Sequence, residues 1–243
     1  MGRDRVMEAL LRRLDVVSGL EQADRDAIRS LPVMVRQLEA GHAVVRDGDR
    51  PAECCLVVEG FCIRAKTTAS GQRQILSVHI PGEIPDLQSL HLHVLDHDLI
   101  ALTSCTLGFI GHAPMRALTR ARPRVAELLW RDTLIDAAMF REWIVNVGQR
   151  PAPSRLAHII SELRERLSVI GRVDGNVFEM PLTQEQLGEA MGITPVHANR
   201  VVKLLREDNV VDLNRGQATI LDEDKLYALA EFDRRYLHQK PSL

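Results

Sequence analysis

Between Thr194 and Arg206 the chain carries polar side chains at helical spacing. Thr194 can cap a helix, and Pro195 suits its first position because the N–H that proline lacks would have no partner there. The outward positions of this predicted helix are Val196, His197, Asn199, Arg200 and Lys203. Arginine can bond O6 and N7 of guanine, asparagine can bond N6 and N7 of adenine, and lysine can bond phosphate. These residue types predict a helix that enters the major groove of double-stranded DNA.

The residues just before this segment predict a second helix and a tight turn. Thr183 followed by Gln186 is a capping-box pattern, in which each side chain bonds the backbone N–H of the other residue. Gly192 stands where the chain must turn sharply. Gly188 and Ala198 are small, which would let the two helices approach closely. The whole pattern is typical of a helix-turn-helix.

A predicted β-hairpin follows the two helices. Residues 210–213 and 218–221 favour short strands, and Asn214, Arg215 and Gly216 supply the turn. Such a two-stranded wing would hold Arg215 against the DNA backbone. The alternative, a helical hairpin followed by an unrelated β-hairpin, requires several local patterns to coincide. The candidate DNA contacts are Thr183, Gln184, Thr194, Val196, His197, Asn199, Arg200, Lys203 and Arg215.

Residues 33–110, which precede the helix-turn-helix, consist of short apolar runs between glycines. Glycine recurs there at intervals of roughly ten residues, which is typical of an antiparallel barrel or roll. The glycines are Gly41, Gly48, Gly60, Gly71 and Gly82. Residues 4–32 predict two short helices before the roll, with Met7, Leu10, Leu11 and Leu14 on one and Ala27, Ile28 and Leu31 on the other.

Residues 124–147 contain neither glycine nor proline and predict a long helix. Its apolar residues fall on two faces, so one face can cover the roll and the other can meet a second copy of the chain. We assign Leu128, Ile135, Met139 and Trp143 to a homodimer interface. Because Asp132 interrupts the apolar seam, a helix buried within a monomer is the alternative.

Pro151 and Pro153 end the long helix, and Ser154 is expected to cap a further helix over residues 155–169. The predicted domains are therefore a roll with its preceding helices at 1–122, a dimerisation helix at 123–150 and a DNA-binding unit at 151–243.

The order of roll, long helix and winged helix-turn-helix resembles the Crp/Fnr family of bacterial transcription regulators. Residues 182–188 (Leu-Thr-Gln-Glu-Gln-Leu-Gly) and 192–200 (Gly-Ile-Thr-Pro-Val-His-Ala-Asn-Arg) are similar to its DNA-binding signature. The resemblance implies an α+β fold with an N-terminal double-stranded β-helix of the cyclic-nucleotide-binding type, a long dimerisation helix and a C-terminal winged helix-turn-helix. It also implies a homodimer that binds a pseudo-palindromic operator and acts with RNA polymerase, and we expect no enzymatic activity.

The sequence departs from the family at two sites. Cyclic-nucleotide sensors of the family use a Gly-Glu pair and then an arginine that binds the phosphate. Gly82 and Glu83 are present as a degenerate effector pocket, but residues 74–115 contain no lysine or arginine. An enclosed phosphate needs a cation, so we predict no useful affinity for cyclic AMP. Val196 stands where the family commonly has a glutamate, which favours contact with a thymine methyl over a bond to cytosine.

The cysteine and histidine patterns do not favour a cofactor site, and we predict no metal and no cofactor. Cys54 and Cys55 are adjacent in a predicted strand and point to opposite faces, which disfavours an iron–sulfur cluster; oxidation of the thiols is an alternative role. His91 and His93 match part of the metal-binding motif of cupin-like enzymes. A cupin-like metal-dependent enzyme is therefore our second hypothesis, but the glutamate ligand that would follow is missing. His79 and His97 lie in the same region and leave a metal site open as an alternative.

Charge and hydropathy set the remaining limits. The formal net charge is −2, so affinity for DNA must come from a local patch rather than from the whole chain. The amino end lacks the apolar core of a signal peptide and no apolar run is long enough to span a bilayer, so we expect a cytoplasmic protein with no membrane partner. The sequence does not identify a small-molecule effector.

Overall fold

Two helices at the amino end pack against the roll. The structure, a computed structural model, describes residues 3–17 and 19–239. Helix α1 (Arg3–Val17) and helix α2 (Gln22–Arg29) bury Met7, Leu11 and Ile28 in one apolar cluster with strand residues of the roll. The two predicted helices are confirmed. The outer ends of the predicted first and third domains, residues 1–2 and 240–243, lie outside the described residues.

The roll consists of antiparallel strands in two sheets that share a core. The strands are β1 (Met34–Leu38), β2 (Ala43–Val45), β3 (Glu53–Glu59), β4 (Cys62–Thr67), β5 (Arg73–His79), β6 (Asp98–Ala101) and β7 (Cys105–Gly111). The sheet orders are β1-β7-β3 and β2-β6-β4-β5, and a 3₁₀ turn (Leu87–Leu90) lies between β5 and β6. The five predicted turn glycines have φ between +82° and +96°, which other residues rarely adopt, so they mark turns as predicted.

A long helix connects the roll to the C-terminal unit. Helix α3 (His112–Ala121) leads into helix α4 (Pro123–Gly148), which is confirmed as the long helix. The four residues that we assigned to the homodimer interface are 1–5% exposed in the single chain; they are Leu128, Ile135, Met139 and Trp143. That assignment is wrong, because this face of α4 packs against the chain's own roll and C-terminal unit.

The other face of α4 is apolar and exposed. Trp130, Leu134 and Ile144 are 69%, 54% and 71% exposed. Together with the intervening positions they form what we call the α4 stripe, at alternating spacings of four and three residues: Trp130, Leu134, Ala137, Arg141, Ile144 and Gly148. This spacing is typical of a seam between two helices.

The C-terminal unit begins with helix α5 (Ala152–Val169), which starts three residues earlier than predicted. Ser154 therefore lies in its first turn and does not cap it. The remaining elements are β8 (Val173–Asp174), β9 (Val177–Glu179), α6 (Gln184–Met191), α7 (Pro195–Glu207), β10 (Val211–Asn214), β11 (Gln217–Ile220), α8 (Glu223–Ala230) and a 3₁₀ turn (Arg234–Leu237). The wing is wider than predicted, because β9 and β8 extend the β10–β11 hairpin to four strands.

The roll and the C-terminal unit pack directly on each other. Apolar residues of β5, including Ile75 and Val78, share one buried cluster with residues of α5 such as Ile159 and Leu163. At the edge of this contact Arg73 on β5 pairs with Glu189 on α6 at 2.8 Å. No helix in the described ranges is long and apolar enough to cross a lipid bilayer.

We predict that Gly60→Ala destabilises the chain more than Gly71→Ala. Both glycines have φ near +80°, at +83° and +82°, so alanine strains the backbone equally at both. A Cβ at Gly60 would lie 2.5 Å from the Ser104 carbonyl oxygen, whereas one at Gly71 would meet nothing within 4 Å. We expect a loss of about 1 kcal/mol for Gly71→Ala and a further ~1–3 kcal/mol for Gly60→Ala. Urea unfolding measures both, and equal losses would contradict this packing.

Candidate nucleic-acid interface

Helix α6 begins with the capping box that the sequence predicted. The Gln186 backbone N–H donates to Thr183 Oγ1 at 3.3 Å, and the Thr183 N–H donates to Gln186 Oε1 at 2.9 Å. The box is confirmed, and it satisfies two backbone donors at an exposed helix end. Thr183 and Gln184 are both exposed there.

The turn between α6 and α7 depends on a close backbone contact. Gly192 ends α6 in the left-handed region at φ +67°, and the Ile193 N–H donates to the Gly188 carbonyl at 3.0 Å. A Cβ at Gly188 would lie 2.8 Å from the Ile193 carbonyl oxygen. We expected Gly188 to be small because two helices cross there, but the limiting contact is with the turn.

Helix α7 is capped and started as predicted. Thr194 Oγ1 accepts from the His197 N–H at 3.3 Å, and Pro195 occupies the first helical turn. The buried face consists of Ala198, Val201, Val202 and Leu205. Leu204 is 41% exposed, because Val202 takes the inward position on this turn.

The first turns of α7 carry the exposed candidate contacts. Val196 is 64% exposed, and His197, Arg200 and Lys203 are also exposed. No hydrogen bond or ion pair engages Arg200 or Lys203 with another described residue. Both cations are therefore available to an outside partner.

Asn199 is the exception among the candidate base contacts. It is half-buried, and its Nδ2 donates to Gln184 Oε1 at the start of α6. The bond joins the two helices and uses one of the two N–H donors of the Asn199 amide. Sequence reasoning placed both residues at the interface but missed their contact with each other.

The wing lies next to α7. Arg215 and Gly216 form a two-residue turn with φ of +50° and +76°, and Arg215 is exposed. Both φ values are positive, as the tight turns of hairpins require. Arg206 at the end of α7 bonds Asp212 on β10, so this cation ties the helix to the wing.

The effector region places Glu83 inside the protein among cations from distant segments. Glu83 contacts His79 Nδ1 at 3.0 Å, Arg166 Nη2 at 2.8 Å and Arg13 Nη2 at 3.8 Å. Burial would raise the pKa of Glu83, but Arg166, His79 and Arg13 outweigh it and hold this pKa well below its usual range. Residues 74–115 hold no lysine or arginine, but Arg13 of α1 and Arg166 of α5 reach Glu83, so our expectation that this region lacks a cation was wrong.

Very little space remains beside Glu83. The cavity there holds about 20 Å³ and is lined by Arg13, Arg64, His79 and Asp136, among others. That volume suits about one water molecule. Gly82, which we assigned to the effector pocket, allows α1 to pack closely: a Cβ there would lie 2.7 Å from the Ala9 carbonyl oxygen of α1.

The other ligand-type residues are dispersed. All four cysteines are free and buried, and Cys54 faces the cluster against α1 whereas Cys55 faces the core between the sheets, as predicted for neighbours in a strand. His91 and His93 are exposed. Across residues 3–17 and 19–239, no three histidine, cysteine or acidic side chains are grouped as metal ligands.

Comparison with known proteins places these features in a family. Residues 154–229 match the family model of the Crp-like helix-turn-helix domain, and residues 35–122 match that of the cyclic nucleotide-binding domain. The transcriptional activator protein FnrL of Cereibacter sphaeroides is 24% identical over 77% of this chain and 76% of its own length. The nitrogen fixation regulation protein FixK of Bradyrhizobium diazoefficiens is 23% identical over 92% of both chains.

Solved structures show the same fold. FixK2 from Bradyrhizobium japonicum superposes with a TM-score of 0.75 at 18% identity, covering 82% of this chain and 98% of that one. A Crp/Fnr-family transcriptional regulator from Thermus thermophilus gives 0.63 at 18% identity, covering 82% and 99%. The two domain matches, in this order and joined by a long helix, mean that the chain belongs to the Crp/Fnr family of DNA-binding transcription regulators.

Proposed function

We propose that the protein is a homodimer that binds a pseudo-palindromic operator through α7 of each copy and regulates transcription without a cyclic nucleotide or an iron–sulfur cluster. The observation that carries the proposal is the uncovered start of α7, where Arg200 and Lys203 have no partner among the described residues. RNA polymerase is the partner that we expect at the promoter. We propose no enzymatic activity for the chain.

Base recognition is assigned to the first turns of α7. Arg200 can bond O6 and N7 of one guanine, and Val196 can contact a thymine methyl group. Asn199 can bond adenine through Oδ1 and the N–H of Nδ2 that the bond to Gln184 does not use. His197 lies exposed on the same turn and completes this set.

Contacts to the DNA backbone are assigned to the rim of the interface. Lys203 continues the exposed face of α7, and Arg215 projects from the wing turn. Thr183, Gln184 and Thr194 stand at exposed helix starts, where hydroxyl and amide groups can bond phosphate. These contacts fix the position of α7 on the duplex but carry no sequence information.

The homodimer is assigned to the α4 stripe. Its apolar members are exposed in the single chain, although Trp130 and Ile144 are large side chains of the kind that oligomers bury. Their spacing would let α4 of a second copy pack along the whole stripe. This assignment replaces the four buried residues that we first chose.

A cyclic nucleotide does not fit the residues of the effector region. Both oxygens of Glu83 accept from Arg166, and the adjacent cavity of about 20 Å³ is far smaller than a nucleotide. An iron–sulfur cluster does not fit the cysteines either: Cys54 lies apart from the cluster that holds the other three, and no three ligand-type side chains of the described residues are grouped to hold a metal. Burial also raises the pKa of Cys54 to about 12, and clusters need thiolates.

We predict that Arg200→Ala and Lys203→Ala weaken DNA binding in different ways. Arg200→Ala should cost ~1–3 kcal/mol on a duplex that the wild-type chain selects and should relax one base position. Lys203→Ala should weaken selected and random duplexes alike, because phosphate is the same in both. Fluorescence anisotropy with both duplexes measures this, and an equal loss on both for Arg200→Ala would refute its assignment to a base.

We predict that Leu134→Glu dissociates the homodimer. A carboxylate on the α4 stripe would be buried without a partner at the interface between copies. Leu221→Glu is the control, because Leu221 is a comparably exposed leucine on the C-terminal unit, at 46% against 54%. Sedimentation velocity should show monomers for the first variant and dimers for the control. Dimers in both would exclude the stripe as the interface.

We predict no binding of cyclic AMP. A ligand that bonds Glu83 would have to displace Arg166 from a buried ion pair. Isothermal calorimetry with the wild-type chain should give no saturable heat up to millimolar nucleotide. Saturation in the micromolar range would show that the region opens and would overturn this part of the proposal.

A further inference from the structure

Arg166 lies where the roll meets the C-terminal unit. Its side chain, on α5, is 2% exposed and fully enclosed by protein. Nη2 donates to the Val78 carbonyl at 2.7 Å and to both oxygens of Glu83 at 2.8 Å. Nη1 donates to Glu162 Oε1 at 3.2 Å. One guanidinium therefore joins the first helix of the C-terminal unit to two points of the roll.

The partners of Arg166 extend the network to the other elements. Glu162 on α5 accepts from Trp143 Nε1 on α4 at 3.2 Å and from the Tyr236 hydroxyl at 2.9 Å. On the far side of Glu83, Arg13 of α1 pairs with Asp132 of α4 at 3.0 Å. The series of polar contacts from Arg13 to Tyr236 thus links the amino-terminal helix, the roll, the long helix and the C-terminal unit.

The hydrogen bonds of Arg166 restrict the relative orientation of the roll and the C-terminal unit more than the apolar part of this contact does. Burial of Ile75 and Val78 against α5 stabilises the contact, but apolar packing is non-directional and tolerates small rotations. Charge-assisted hydrogen bonds from a planar guanidinium to fixed acceptors do not tolerate them. A buried ion pair contributes little net stability over apolar residues of the same size, so its main effect here is on geometry.

We propose that Arg166 is a positioning residue that holds the DNA-binding unit in the orientation that both half-sites require, by bonding Glu83 where the family's nucleotide sensors bind a ribose. An internal side chain thereby takes the position of an effector. A ligand that reached Glu83 would compete with Arg166 and would release the unit. This inference rests on the proposed function, because it assumes a dimer that binds two half-sites.

A positioning residue should affect the gain from a second half-site but not the affinity for one half-site, whereas a residue that only stabilises the fold should not separate these two quantities. The affinity of one unit for one half-site depends on α7 and the wing. The gain from a second half-site depends on how well the two units are placed relative to each other. Loss of positioning should therefore reduce the gain and leave the half-site affinity unchanged.

The test uses the full chain with Arg166→Met and with Arg73→Met as the matched control. Arg73 also pairs with an acid of the C-terminal unit across the same contact, but it is 33% exposed and at the edge. After Arg166→Met, Glu83 keeps His79 and Arg13. Glu162 keeps the hydrogen bonds from Trp143 and Tyr236 but loses the cation that pairs with it, so a variant that keeps the charge is needed as well. Dissociation constants are measured for duplexes with one and with two half-sites, both taken from a sequence that the wild-type chain selects.

The ratio of the two constants is the readout. For Arg166→Met we expect the ratio to fall by about tenfold or more while half-site binding is retained, and for Arg73→Met we expect the wild-type ratio. Arg166→Lys is the second variant, since it keeps the buried charge but offers one nitrogen in place of two. It should fold and should also lower the ratio.

Three outcomes are informative. A wild-type ratio in folded Arg166→Met, or in Arg166→Lys if the first variant does not fold, would overturn the inference. An equal fall for Arg73→Met would show that any loss of contact between the units has this effect, and would also overturn it. Failure of the wild-type chain to bind either duplex would instead refute the proposed function.

Discussion

The position of α7 depends on a backbone contact that glycine allows. The Ile193 carbonyl oxygen lies only 2.8 Å from where a Cβ of residue 188 would be, and without that Cβ the chain can leave α6, turn at Gly192 and enter α7 within a few residues. This turn places Ala198 and Val201 of α7 in the core of the C-terminal unit and leaves the opposite face of α7 uncovered. The availability of Val196, Arg200 and Lys203 follows from this packing.

The rest of the molecule gives that unit a fixed support. Apolar residues of β5 and α5 share one cluster, and Arg166 adds directional bonds between the same elements. Charges this deep are tolerated because each has an opposite partner; burial lowers the pKa of His79, whose Nδ1 lies 3.0 Å from a Glu83 oxygen. The roll therefore encloses an internal ion network, and the cavity beside Glu83 holds about 20 Å³.

Local patterns were predictable because their causes are local. The capping box at Thr183, the cap at Thr194 and the turn glycines of the roll each involve residues a few positions apart, and all were found from the sequence. The β8 and β9 strands were missed because two or three residues are too few to show alternation. The start of α5 was misplaced by three residues because Ser154 is a good cap that the preceding proline makes unnecessary.

Long-range features were not predictable in the same way. The pattern of α4 showed two apolar faces, but periodicity does not tell which face the chain's own roll covers, so Ile135 and Met139 were assigned to the wrong partner. Glu83 and Arg166 are 83 residues apart, and no spacing links them. A buried carboxylate does require a cation, and that rule could have prompted a search of other segments.

Selection of bound sequences from a random duplex pool by the full wild-type chain tests the central claim, that the exposed start of α7 reads DNA bases in a homodimer. The account predicts enrichment of a two-fold symmetric sequence whose half-sites are about one helical turn, about 34 Å, apart. A pool that remains random after repeated rounds at low salt would contradict it.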